Sequence, residues 1–158
     1  MPDMLWAAAG LLLMLPGDMQ PVAVKAEKIP VLGLYPPALG HMDQLFCSWS
    51  NDKGASVVLH WWNAPQPPRD FGPISPEEKW NTLIGSQPLS AARTDLFMGR
   101  RQEVLVTWLP LEEYGASAML HATGLSRESF DLMLKKSRIV DAGRTLSMTC
   151  QAMSEGTK

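Results

Sequence analysis

Apolar and polar residues alternate with a period of two along much of this chain, the spacing of a strand half-buried in a sheet. Residues 44–50, QLFCSWS, follow that period, and 56–62, SVVLHWW, is rich in β-branched and aromatic side chains. Asn51, Asp52, Lys53 and Gly54 lie between them as turn residues, so the two runs predict a hairpin. Residues 94–99 and 102–109 predict a second pair, turning near Gly99, Arg100 and Arg101. In its second run Val104, Val106 and Trp108 alternate with Leu105, Thr107 and Leu109. Both faces are apolar, which places that strand centrally in its sheet. A strand over 116–123, ASAMLHAT, and a last one within 143–153 complete the expected sheet.

Two segments carry a helical period instead. Ser75 can cap, Pro76 suits a first helical turn, and Glu78 falls where a capping box places an acid. Trp80, Leu83 and Ile84 follow at i, i+3 and i+4, and Gly85 can end the element, so a helix is expected over 75–85. The second helix follows Gly124, which permits a sharp exit from a strand. Ser126 caps it, Glu128 lies in its first turn, Phe130, Met133, Leu134 and Ser137 share one face, and Lys135, Lys136 and Arg138 cluster near its end. The expected fold is α+β, an antiparallel sheet of about five or six strands with two covering helices.

The first 26 residues read as an apolar signal or anchor segment. Residues 4–15, MLWAAAGLLLML, carry no charge and end at Pro16 and Gly17. That run is shorter than a bilayer span and matches the apolar region of a signal peptide, with Val24, Lys25 and Ala26 offering a cleavage site. No Lys or Arg precedes it, unlike most export signals. The expectation is an exported protein, periplasmic, secreted or membrane-anchored, with a tether available through 4–15. A cytoplasmic protein that buries this run is the alternative. Residues 27–43 form a Pro-rich lead-in, 44–152 a single α+β domain, and 153–158 a polar tail.

Composition supports one globular domain, since 46% of the 158 residues are hydrophobic and 19% charged. A formal net charge of -2 with scattered Lys and Arg gives no footprint for nucleic acid. Cys47 and Cys150 are far apart and form no CxxC motif. In an oxidising compartment they can form one long-range disulfide, and inside a cell both are buried thiols.

Catalytic and cofactor motifs are missing. The chain has no GxSxG, GxGxxG, GxxxxGK[ST], HExxH or EF-hand loop, so no cofactor or metal is expected and no catalytic residue is assigned. Glu77 with Glu78, and Glu112 with Glu113, read as solvated carboxylates. Of the histidines His41, His60 and His121, the last two lie on predicted strands and can approach one another across the sheet. Trp61 and Trp62 must point to opposite faces of their strand. One enters the core, and the other, with Phe71 in the neighbouring Pro-rich loop, can form an apolar binding patch.

Gly124, Leu125, Ser126, Glu128, Phe130 and Leu134, within the strand–strand–helix order of 94–140, resemble the closing part of bacterial extracytoplasmic domains of unknown function and sigma-regulator-type envelope modules. The resemblance implies a sensing or interaction module at the cell envelope, without enzyme activity. The missing catalytic motifs and six tryptophans favour a non-enzymatic envelope or secreted module that binds a protein, peptide or apolar ligand through its sheet edge or the surface of Trp61, Trp62 and Phe71, with His60 and His121 as further candidate binding residues. Two alternatives stay open: a small enzyme or metal-binding protein using His60, His121 and an acid such as Asp95, and an accessory subunit docked through its apolar N-terminus.

Overall fold

The computed structural model describes residues 4–8, 11–31, 40–62, 76–97, 100–109, 116–139 and 150–153. The alternating runs become strands β1 (Met4–Ala8), β2 (Leu11–Leu15), β3 (Gln20–Val31), β4 (Gly40–Ser50), β5 (Ser56–Trp62), β6 (Glu78–Ile84), β7 (Gln87–Phe97), β8 (Arg100–Leu109) and β9 (Ser117–Thr123). Helix α1 (Arg127–Lys136) follows, then β10 (Arg138–Ile139) and β11 (Cys150–Met153). Every pairing is antiparallel. One sheet has seven strands in the order β3-β4-β5-β9-β8-β7-β6, and the other has four in the order β10-β2-β1-β11.

This corrects the expected α+β fold of about five or six strands and two helices. Among the described residues there are two sheets and a single helix. The segment expected to be the first helix is instead β6. Trp80 and Ile84, four residues apart, share a face in either geometry, so that spacing cannot separate the two periods. The neighbouring residues decide: Thr82 joins the inner face while Lys79, Asn81 and Leu83 turn outward. Gly85 does not end a helix but opens a two-residue turn, with Ile84 paired to Gln87.

The expected hairpin of β4 and β5 is present, with Gln44 opposite Trp62 and Ser50 opposite Ser56. Its turn is held by Asn51, whose Oδ1 accepts from the backbone N–H groups of Lys53 at 3.0 Å and Ala55 at 2.9 Å. β8 lies between β7 and β9, as its two apolar faces require. β3 pairs with β4 from Gln20 to Val31, so much of the expected lead-in is sheet.

The core lies between one face of the large sheet, the small sheet and α1. Leu45, Trp49, Leu59, Trp61, Leu120 and Ile84 from the large sheet pack in one cluster with Leu11, Leu13 and Leu15 of β2 and with Phe130, Met133 and Leu134 of α1. The helix has the expected cap, Ser126 Oγ accepting from Ser129 N–H at 3.1 Å. Its C-terminal end is fixed to both sheets. Gly85 N–H donates to Leu134 O at 3.2 Å, and Met14 N–H donates to Ser137 Oγ at 2.9 Å. On β6, Trp80 Nε1 donates to Asp131 Oδ1 at 2.9 Å, and the Arg127 guanidinium sits 4.4 Å from the centre of the same ring. No helix among the described residues is long and apolar enough to cross a membrane.

Candidate functional site

Successive side chains of a strand point to opposite faces, so β5 divides its residues. Val57, Leu59 and Trp61 enter the core cluster, and His60 and Trp62 turn to the other face. The register extends that second face across the sheet. His60 stands opposite Phe46 on β4 and Met119 on β9, and Trp62 stands opposite Gln44 and Ser117. His121, two residues beyond Met119, shares the face and lies opposite Val58 on β5 and Val106 on β8.

Aromatic and imidazole rings meet over this surface. Phe46 meets His60 edge-on with ring centres 5.2 Å apart, and His60 lies nearly parallel to Trp62 at 5.8 Å. Two contacts bridge strands that are not neighbours. Trp62 reaches Trp108 of β8 at 6.4 Å across β9, and Phe97 of β7 reaches His121 of β9 at 4.8 Å across β8. Strands two apart are separated by roughly 9–10 Å, so these rings lean inward and close over the strand between them. The face is buried at its centre, yet neither β2 nor α1 packs there, because both belong to the cluster on the opposite side.

The two histidines meet at the middle. Their Nε2 atoms are 3.2 Å apart and their ring centres 5.3 Å apart, with the planes inclined by 22°. The ring centres lie about as far apart as two imidazoles touching end to end would place them. The rings therefore face each other edge to edge, and one Nε2–H donates to the other Nε2. The donor carries its proton on Nε2 and the acceptor carries its own on Nδ1. Burial lowers the His60 pKa from 6.5 to about 4. Burial, with the His60 charge second, lowers that of His121 to about 3. Both rings are neutral at physiological pH.

That geometry limits the chemistry. Each Nε2 is engaged by the other, so neither is free to take a substrate proton while the pair holds. Among the described residues no three His, Cys, Asp or Glu side chains gather as a metal would need. Asp95, the acid expected to assist the histidines, instead faces Arg93 Nε at 3.8 Å with its side chain largely exposed. A carboxylate does reach the ring layer indirectly. Trp62 Nε1 donates to Gln44 Oε1 at 2.7 Å, and Gln44 Nε2 donates to Glu27 Oε1 at 3.0 Å.

Trp61 and Trp62 occupy opposite faces as the alternation requires, but both are buried, so neither forms an exposed patch. The partly exposed tryptophan of this face is Trp108. Phe71 lies outside the described residues. Cys47 is buried on the core face of β4, and Cys150 opens β11 in the other sheet, opposite Ala8. Sequence reasoning did not single out Gln44, Phe46, Phe97, Trp108, Ser117 or Glu27. For Gln44 and Phe46 the signal was present, since the hairpin register places both opposite Trp62 and His60. No family model matches the chain, and no curated protein or solved structure does.

Proposed function

We propose that this protein is a non-enzymatic binding module and that the ring-lined face of its large sheet takes up an apolar ligand. The observation that supports the reading is the convergence of rings from β4, β5, β7, β8 and β9 around one neutral histidine pair. Flat rings bury much surface at low conformational cost, and apolar sites with a few polar groups are the usual build of small-molecule pockets. A purely structural layer has no need of imidazoles, whose burial carries a penalty that phenylalanine avoids. Trp108, 36% exposed, is the ring of this layer nearest solvent and marks the side of entry. An enzymatic reading gains nothing from the geometry, because the paired Nε2 atoms are occupied and Asp95 lies with Arg93.

Calorimetric titration with naphthalene, a planar apolar probe, tests the proposal. Saturable one-to-one uptake, weakened at least several-fold by Trp108→Ala, is the expected result. A protein that takes up no probe, or a variant that binds as tightly as the wild type, overturns it.

A further inference from the structure

We propose that Ser117 is the polar anchor of this site and that its ligand is an apolar ring system bearing one hydroxyl or carbonyl group. The inference rests on the reading of the ring-lined face as a binding surface. Ser117 opens β9 directly opposite Trp62 and shares a face with Met119 and His121. It therefore lies beside the Trp62 and Trp108 rings, which meet across its own strand. The residue is 6% exposed, and among the described residues its Oγ has no hydrogen-bond partner.

Several polar side chains near this surface have partners within the fold. Ser56 and Thr123 share a hydrogen bond at 2.7 Å, Thr94 Oγ1 donates to Leu96 O at 2.8 Å, and Gln44 bridges Trp62 to Glu27. A buried hydroxyl without a partner destabilises a fold, and removing it relieves that penalty. Ser117→Ala puts a smaller side chain in place of the serine, so the space there accepts a methyl group. The hydroxyl at 117 is thus a feature that folding does not require and that a ligand can use. Because it both donates and accepts, it suits a hydroxyl or a carbonyl and gives no preference for charge.

The test compares 1-naphthol with naphthalene on the wild-type protein and on Ser117→Ala, by calorimetric titration, with thermal unfolding of both proteins in the absence of probe. The wild type should prefer 1-naphthol by about fivefold, the ratio one neutral hydrogen bond supplies. Ser117→Ala should lose the preference, keep its affinity for naphthalene, and unfold at the same or a higher temperature. Equal preference in both proteins overturns the role of Ser117 while leaving the face intact. A Ser117→Ala protein that melts lower shows the hydroxyl to be satisfied within the fold, and also overturns it. If the wild type takes up neither probe, the reading of the face falls and the anchor falls with it.

Discussion

His60 and His121 present their Nε2 atoms to each other at 3.2 Å from adjacent strands, and burial holds both rings neutral far below the pH at which a solvated imidazole titrates. Their folded pKa values, about 4 and about 3, lie below the unfolded value of 6.5. Below pH 6.5 the unfolded chain binds more protons than the folded one. The stabilisation is therefore complete above pH 6.5 and is lost as pH falls toward 4 and then 3. For His60 alone the span corresponds to on the order of 3 kcal/mol. Calorimetry from pH 7 to pH 4 should show this loss, and a His60→Phe, His121→Phe double variant should show a shallower one. An unchanged slope in the variant would assign the acid sensitivity to other groups.

Leu11, Leu13 and Leu15 are completely buried against the large sheet and α1. Leu13→Ala should cost about 2–5 kcal/mol in chemical denaturation, as for other leucines in packed cores. The same packing predicts that residues 4–26 stay in the mature protein. Intact mass of material recovered from the host checks this. A product lacking the segment to Ala26 would show a mature domain without β1 and β2, and would support the export reading.

Gly124 and Gly54 both have positive φ, 73° and 88°, but their surroundings differ. A Cβ at Gly124 would lie 2.8 Å from Gly54 O and 2.9 Å from Ala55 Cα, whereas one at Gly54 meets nothing within 4 Å. Gly54→Ala should cost about 1 kcal/mol for the left-handed backbone alone. Gly124→Ala adds a backbone clash and should cost about 3 kcal/mol or more. Parallel thermal melts of the two variants compare them directly, and equal costs would refute the close approach of the two turns.

Asp131 accepts the Trp80 indole N–H, and its other carboxylate oxygen lies 4.0 Å from Arg127 Nε. Asp131→Ala leaves the indole N–H of the nearly buried Trp80 without its acceptor, at a cost of about 1–3 kcal/mol. Arg127→Ala should cost less, because its ion pairs to Glu78 and Asp131 are substantially exposed. Urea denaturation of both variants ranks the two effects. The reverse order would make the guanidinium over the ring, rather than the hydrogen bond, the main tie between α1 and β6.

Where one period dominated, the sequence was legible. The β4–β5 hairpin, the central β8 and the capped α1 are each marked by alternation, turn residues or a cap within a few positions. The meeting of His60 and His121 followed from the same alternation, since both lie on neighbouring strands. The segment from Ser75 misled because a capping serine, a proline and an acid are local signals, and pairing with β7 outweighed them. The apolar run before Pro16 is ambiguous by composition. A strand covered on its inner side and paired on both edges has the same composition as an export signal. Phe97, Trp108 and Glu27 could not be placed in the ring layer from sequence, because each reaches it from a strand whose position depends on the whole strand order.

That strand order also constrains the route to the folded state. β1 pairs with β11, Trp6 opposite Ala152, so the first and last described strands are neighbours. During synthesis the β1–β2 hairpin must wait, its outer edge unpaired, until residues 150–153 have left the ribosome. Contacts so distant in sequence make for slow closure and a long interval of exposed apolar edge, so this protein's yield in a cell depends on how well that edge is shielded while it waits.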